Sequence, residues 1–398
     1  MSNARRAAFY APLKHPFEGE ASGDREIARA LMAGLTACDL APELASRLLS
    51  WRRRFEPADA VRLERRAALV AAQLVRRYRR RPHAAQPCCW MTYQNYARCP
   101  DLLGPPVATA LALPYILVDT ALSTSSRRTP FRPWVSAARL AVRRADLIFA
   151  MSPRDVPRLA AIRGPRFAAE RLLLLPPAVD LARFAASETV RARHRAALAR
   201  RIPATEGPLV LCVAMMREAD KLDSYRLLAA ALAELSRESA GRRWHLVVVG
   251  DGPARRAVEA VLAAVPADRV CLLGALEPAA LPAVYLGADL FAFPGIGDAL
   301  GLVYLEAAAA GLPVVACRGP GPDFMVAPGG GLLTDATPAA YAAGIAQLLD
   351  DPARCREMGH AARAFVAAER TMEAWTRRLR DGLARLSLGS RVPAGSPA

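Results

Sequence analysis

Twice along this chain, short apolar runs bounded by glycine or proline alternate with longer stretches of helical periodicity. That alternation narrows the fold more than any other feature. Strands that are apolar throughout need cover on both faces, and parallel neighbours need a crossover to return. In the first half the runs expected as strands are 7–13, 88–93, 114–119, 147–151 and 172–176, with helical patterns such as 23–35 and 134–145 between them. In the second half they are 209–215, 244–249, 270–273, 290–293 and 313–316. A polar, turn-rich segment at 203–208 lies between the two series. Helical stretches at 352–368 and 371–386 follow, and a Gly/Ser/Pro-rich tail at 389–398 reads as frayed.

With 398 residues, the chain is too long for one ordinary core and suits two α/β domains. The expected organisation has an N-terminal doubly wound domain at 1–185 and a C-terminal one at 186–370. Residues 371–388 are expected as a helix packing back on the first domain, with 389–398 as a flexible tail. No apolar run reaches the length of roughly 18 residues that a membrane span requires. The first residues read as a strand rather than a signal peptide. Eight cysteines, scattered apart from Cys88 and Cys89, suit reduced thiols in a cytoplasm better than a disulfide framework or a zinc site. The expected localisation is therefore cytoplasmic.

A formal net charge of +17 asks for an anionic partner, but nearly all of it is arginine. Lys14 and Lys221 are the only lysines, so the excess reflects a residue bias across the whole chain more than a binding face. Its densest part runs from Trp51-Arg52-Arg53-Arg54 to Arg79-Arg80-Arg81 around a helical stretch. Arginines beside apolar residues there make it a candidate for peripheral contact with anionic lipid on the inner face of a membrane. Aromatic residues are 6% of the chain and no nucleic-acid-binding motif occurs, so no nucleic-acid partner is expected.

Open α/β sheets bind ligands outside the carboxyl ends of their strands. The most informative such place is 290–316, LFAFPGIGDALGLVYLEAAAAGLPVVA. A strand ends, a glycine-rich turn follows, and a helix begins near Gly301. Free N–H groups at Gly301, Leu302 and Val303 would suit a phosphate. Asp298 and Glu306 lie eight apart at that helix start, and a carboxylate such as Glu306 can accept both hydroxyls of a ribose. The plainer alternative is a capped helix with an incidental acid. After the first strand of the second half come Arg217 and Lys221, two cations at a strand-to-helix junction. The plainer alternative there is a solvated pair at a helix start. The small residues of Gly250-Asp251-Gly252-Pro253 permit close backbone approach.

The stretch at 290–316 resembles the E-x7-E signature of the family 4 glycosyltransferases, retaining enzymes of the group 1 glycosyl transferase superfamily with the GT-B fold. The resemblance implies two Rossmann-like domains facing across a cleft, with a nucleoside-diphosphate sugar as donor substrate. Glu306 matches the acid that holds the nucleotide ribose. Asp298 stands where the family has the glutamate that contacts the transferred sugar. Residues 213–221 resemble the loop whose arginine and lysine clamp the donor diphosphate, with Arg217 and Lys221 four apart rather than five. Residues 247–253 resemble the family's VGDGP turn, and Leu276 falls where backbone meets the base. Gly23, beside Ser22, stands in the first glycine-rich loop with one glycine in place of two, and Ser22 can equally be a helix N-cap. The histidine that many members carry after the strand ending near Asp119 is missing from 119–123, although His15 lies in the first loop.

By the same resemblance the reaction is a metal-independent, retaining hexosyl transfer with no cofactor. No Asp-x-Asp occurs to hold a bridging metal. The implied acceptor is a glycan or a lipid-linked precursor of the cell envelope, as in polysaccharide biosynthesis. Two other readings share the fold: a catalytically silent sugar-nucleotide binder and a sugar-nucleotide epimerase. A dinucleotide dehydrogenase is disfavoured, because no G-x-G-x-x-G follows the first strand of either half.

Overall fold

A computed structural model describes residues 4–19, 22–122, 130–162, 169–202, 207–238, 242–386 and 388. The chain divides into two compact units, one of residues 1–176 with 375–398 and one of residues 177–374.

Unit 1 runs β1 (Arg5–Tyr10), α1 (Gly23–Ala37), β2 (Leu40–Leu44), α2 (Pro57–Arg79), β3 (Pro87–Tyr96), α3 (Gly104–Leu111), β4 (Tyr115–Ala121), α4 (Arg132–Arg144), β5 (Leu147–Ala150), α5 (Val156–Ala160) and β6 (Leu172–Leu174). Its six strands are parallel in the order β2-β1-β3-β4-β5-β6. After β2 the order reverses to the other side of β1, so the switch point lies between β1 and β3. Buried polar groups in this unit are largely tied to named partners. Tyr10 Oη donates to the Leu48 carbonyl at 2.8 Å, and Tyr115 Oη to Asp101 Oδ2 at 2.6 Å. Asp101 also accepts the N–H groups of Leu103 and Gly104, which fixes the start of α3. Along α2 the buried residues Ala60, Leu63, Ala67, Ala71, Leu74 and Tyr78 recur every three or four positions, as a one-sided amphipathic helix requires.

Unit 2 runs α6 (Glu188–Ala199), β7 (Leu209–Val213), α7 (Asp220–Glu238), β8 (His245–Val249), α8 (Arg255–Leu262), β9 (Val270–Gly274), α9 (Leu281–Gly287), β10 (Leu290–Ala292), α10 (Leu302–Ala309), β11 (Val314–Cys317), α11 (Pro322–Met325), β12 (Gly331–Thr334), α12 (Pro338–Asp350) and α13 (Pro352–Glu369). Its sheet is also parallel, in the order β12-β11-β10-β7-β8-β9. The switch point lies between β7 and β10. The last helix, α14 (Met372–Ala384), belongs to unit 1 from Trp375 onward. There Arg380 donates to the Ala37 carbonyl at 2.7 Å.

Three expectations need correcting. Five strands are expected in each half, and among the described residues each unit's sheet has six. The added ones, β2 and β12, both lie at sheet edges. β2 carries Pro42 and Glu43 in its five residues, and proline is tolerated in a sheet mainly at such an edge. β12 has four residues, too few to show periodicity. Second, the segment 203–208 does not divide the units: the chain passes into unit 2 at Pro177, and α6 precedes the segment. Arg195 on α6 pairs with Asp289 beside β10, which holds that helix to unit 2. Third, the unit boundary accordingly falls before the 185/186 division, and the second one falls at 374/375 rather than 370/371. Residues 203–206 and the tail 389–398 lie outside the described residues.

Candidate functional site

The loops that leave β7 and β10 flank the switch point of unit 2, where an open parallel sheet leaves a crevice. The β7 loop, 214–219, leads into α7, whose second residue is Lys221. The β10 loop, 293–301, carries Asp298 and ends at Gly301. Lys221 Nζ donates to both carboxylate oxygens of Asp298, 2.7 Å to Oδ1 and 2.8 Å to Oδ2. The side chains are 27% and 11% exposed, so the pair is screened from solvent but reachable. The ammonium also sits over the Phe293 ring, 4.7 Å from its centroid. A second tie joins the same loops: Ile296 N–H donates to the buried Ser224 Oγ on α7 at 2.9 Å.

Gly301 is the N-cap of α10 with φ +77°, and a Cβ there would lie 2.6 Å from the Tyr304 ring. No side chain caps this helix start. The N–H groups of Leu302 and Val303 therefore point out of the helix toward the crevice side without an intrahelical acceptor. One turn on, Glu306 is partly buried and its Oε2 accepts from the buried Tyr285 Oη at 2.8 Å, which fixes the carboxylate's direction. Arg217 is exposed in the β7 loop, and Ala219 beyond it has φ +61°.

The turn after β8 closes against the β7 loop. Gly250 has φ +150°, and a Cβ there would stand 1.9 Å from the Ala214 carbonyl oxygen. Gly250 N–H donates to the Gly274 carbonyl at the end of β9. The carboxylate of Asp251 accepts the Gly252 N–H at 2.7 Å and pairs with Arg255 at 3.0 Å. Those two contacts, the backbone one first, hold its pKa below the usual carboxylate value. Leu276, just past β9, is partly buried against the unit 2 core.

Arg217, Lys221, Gly250, Asp251, Gly252, Leu276, Asp298, Gly301, Leu302, Val303 and Glu306 all lie in the loops that follow unit 2 strands or in the helices those loops enter, and direct contacts join Lys221 to Asp298 and the 250–252 turn to the β7 loop. Gly23 lies in unit 1 as the first residue of α1. Ser22 has the extended backbone of an N-cap but makes no side-chain cap; its Oγ accepts from Lys14 Nζ at 3.4 Å. His15 is 9% exposed, with Nδ1 accepting the Phe17 N–H at 3.3 Å. Phe293, Ser224 and Tyr285 were not anticipated. Phe293 and Tyr285 read as ordinary core residues and Ser224 as an ordinary polar residue of a helix, and only the fold sets each beside a site residue. Among the described residues, no group of three or more His, Cys, Asp or Glu could hold a metal ion. No helix among them is long and apolar enough to cross a membrane.

A family model described as glycosyl transferases group 1 matches residues 207–351. The GDP-mannose-dependent alpha-(1-6)-phosphatidylinositol monomannoside mannosyltransferase of Mycolicibacterium smegmatis is 34% identical over 269 residues, 64% of this chain and 66% of that protein. The D-inositol 3-phosphate glycosyltransferase of Segniliparus rotundus is 35% identical, and the match spans 42% of its length. The 2-deoxystreptamine glucosyltransferase of Streptomyces kanamyceticus is 33% identical over 67% of this chain and 70% of its own. Among solved structures, sucrose-phosphate synthase from Thermosynechococcus elongatus superposes with a TM-score of 0.72 at 20% identity, covering 96% of this chain and 98% of that one. Anabaena Alr3699/HepE in complex with UDP gives 0.70 at 17% identity, covering 96% and 100%. These likenesses show the GT-B fold, and the sequence matches place the chain in its family. It belongs to the group 1 glycosyltransferases.

Proposed function

We propose that the protein transfers a hexosyl group, with retention, from a nucleoside-diphosphate sugar to an acceptor hydroxyl. The Lys221–Asp298 pair carries the reading, because it sets a cation and a sugar-binding acid together at the switch point of unit 2. In the free protein each neutralises the other. A donor diphosphate would take Lys221, with Arg217 and the Leu302 and Val303 amides beside it, and leave Asp298 to the sugar hydroxyls. Glu306, held by Tyr285, would accept the ribose hydroxyls. Gly250, Asp251, Gly252 and Leu276 would line the nucleotide.

In the transfer the bond between the anomeric carbon and the phosphate oxygen breaks through an oxocarbenium-like state. The acceptor oxygen bonds to the same face, and its proton passes to the departing phosphate. Lys221, Arg217 and the helix start stabilise the charge that develops there, in the role a metal would otherwise fill. Relatives named as users of GDP-mannose and structural neighbours solved with UDP or UDP-glucose make those nucleotides the first donors to test.

The test is release of nucleoside diphosphate by the purified chain from a panel of GDP- and UDP-sugars, with a chelator present and without it. Consumption that needs Lys221 and Glu306 and survives the chelator supports the reading. A nucleotide that binds while no donor is consumed, with any acceptor extract, would establish a silent binder instead.

The acceptor is proposed to be a glycan or lipid-linked precursor, reached at a membrane surface. α2 supports this: Arg62, Arg65, Arg66 and Arg76 are exposed along it, with Leu69 67% and Val61 47% exposed among them. Such a face suits anionic headgroups with shallow insertion of the apolar side chains.

A further inference from the structure

A cavity of about 680 Å³ lies at the end of the unit 2 sheet away from Lys221 and Asp298. Pro208, Asp289 and Pro313 line it at the amino ends of β7, β10 and β11. α6 adds Arg191 and Arg195 to its wall, and α13 adds Arg356, His360 and Arg363. All of these residues belong to unit 2.

Two of the arginines meet at the turn that follows α10. Arg191 Nη2 donates to the Ala310 carbonyl and Arg363 Nη1 to the Ala309 carbonyl, where a helix end leaves acceptors over. Arg363 Nη1 also donates to the Phe184 carbonyl at 3.1 Å. A Cβ on Gly311 would lie 3.6 Å from Arg191 Nη2 and 3.9 Å from Arg363 Cδ, so both side chains close on one point. Cations suit the carbonyl end of a helix, but α10 has only eight residues and one cation would serve it.

The charge there is not balanced. Among the described residues, Arg191, Arg356 and Arg363 have no carboxylate in ion-pair contact. Asp289 is already taken by Arg195 and by the Leu209 N–H, which it accepts at 2.6 Å. Glu188 stands exposed at the cavity wall. Burial, and after it the Arg363 charge, lower the pKa of Arg191, with Glu188 opposing them. A guanidinium has five N–H groups, and these arginines spend only one and two hydrogen bonds on the carbonyls. The remaining donors are available to an anion.

A phosphate matches the set better than a carboxylate does. Arginine forks bind phosphate oxygens in pairs, and several cations suit a charge of two rather than one. The cavity is also far larger than a free phosphate needs, and lies within the range of roughly 300–1,000 Å³ typical of small-molecule sites. Ala192, Pro208, Leu349 and Pro352 give it apolar wall. Apart from His360, no aromatic side chain among the described residues lines it, so it offers little for a nucleobase to stack on.

We propose that this cavity binds a small organic phosphate monoester, its phosphate on Arg191, Arg363 and Arg356 and its carbon body against Ala192, Leu349 and Pro352. The site is separate from the donor crevice and does not depend on the transferase reading.

The experiment is amide NMR on the nitrogen-15-labelled full chain, titrated with n-butyl phosphate, α-D-glucose 1-phosphate and inorganic phosphate at constant ionic strength. Shifts are expected at 310–313 and along 356–363, with at least one ester binding severalfold more tightly than inorganic phosphate. The tighter ester tells an aliphatic body from a sugar. Arg191→Gln should weaken that ester about tenfold, and Arg356→Ala severalfold. Arg191→Gln also removes a bond to the end of α10 and should lower the thermal midpoint. Arg356 is exposed, with no hydrogen bond or ion pair among the described residues, so Arg356→Ala keeps the fold and carries the test if the first variant does not fold. Arginines that serve only as helix caps would show the lower midpoint with no ester shifts at 310–313, which overturns the proposal. Shifts confined to 250–252 and 301–303 would put the phosphate in the donor crevice and overturn it as well. So would inorganic phosphate binding as tightly as both esters, or an ester affinity that neither variant moves.

Discussion

Lys221 at the start of α7 and Asp298 in the β10 loop follow strands on opposite sides of the unit 2 switch point, yet the lysine ammonium contacts both oxygens of the aspartate, at 2.7 and 2.8 Å. A part-buried ion pair of this kind adds little net stability, because desolvation offsets most of the attraction. Its placement has a consequence for binding. In the proposed donor complex, a diphosphate would compete with Asp298 for Lys221.

Asp298→Asn should therefore leave nucleoside diphosphate affinity unchanged or tighter while turnover falls, if the carboxylate's contact is with the transferred sugar as proposed. Lys221→Ala should do the opposite and weaken the nucleotide by about 1.5–3 kcal/mol, roughly tenfold to a hundredfold. Calorimetry with GDP and UDP on both variants gives the comparison. Weaker nucleotide binding in Asp298→Asn would show that the acid supports the diphosphate directly and overturn the exchange.

Gly250→Ala tests the packing that places the β8 turn. Its Cβ would stand 1.9 Å from the Ala214 carbonyl oxygen, which already accepts from Tyr225 Oη at 2.8 Å. With φ +150° the new residue would be strained as well. The expected cost is about 3 kcal/mol or more, read as a lower denaturation midpoint and faster amide exchange in β7 and β8. A neutral effect on both would mean that the loops part easily.

Much of this was legible because it is local. Lys221 stands out in an arginine-rich chain, and Glu306 and the 250–253 turn follow strands with strong apolar signals. What could not be read is set at long range. The Arg195–Asp289 pair spans 94 positions, and with Leu198 in the unit 2 core it marks α6 as part of unit 2. Nothing in Gln94 or Asp119 announces a left-handed backbone, since neither is glycine and each lies in an apolar strand pattern. Tyr285 reads as core until the fold sets its hydroxyl against Glu306.

The exposed arginines of α2 give a prediction independent of catalysis. Reversing Arg65 and Arg66 to glutamate should cut flotation with anionic vesicles by about tenfold or more, each arginine near such a surface contributing about 1 kcal/mol. Added salt should weaken wild-type binding in the same way. Equal flotation with neutral and anionic vesicles, at low and high salt, removes the electrostatic contact from the account.

Asp119 offers a test in stability alone. Its carboxyl ordinarily titrates near 3.8 and is raised to about 6 in the folded chain, chiefly by burial. The folded state therefore holds this proton over a pH range in which the unfolded chain has lost it. For an acid with a raised pKa, that contribution is greatest at low pH and disappears as pH rises from about 4 through about 6. Above that window the wild type bears the cost of a largely buried charge, on the order of 1–2 kcal/mol after allowing for the two hydrogen bonds it accepts and for partial solvent access. Asn at this position can still accept from Tyr96 and Gln94 and carries no charge. Asp119→Asn should accordingly be more stable than the wild type at neutral pH, with the difference shrinking toward pH 4, in denaturant melts across that range. A less stable Asp119→Asn at neutral pH would mean that the carboxylate is held there by attraction.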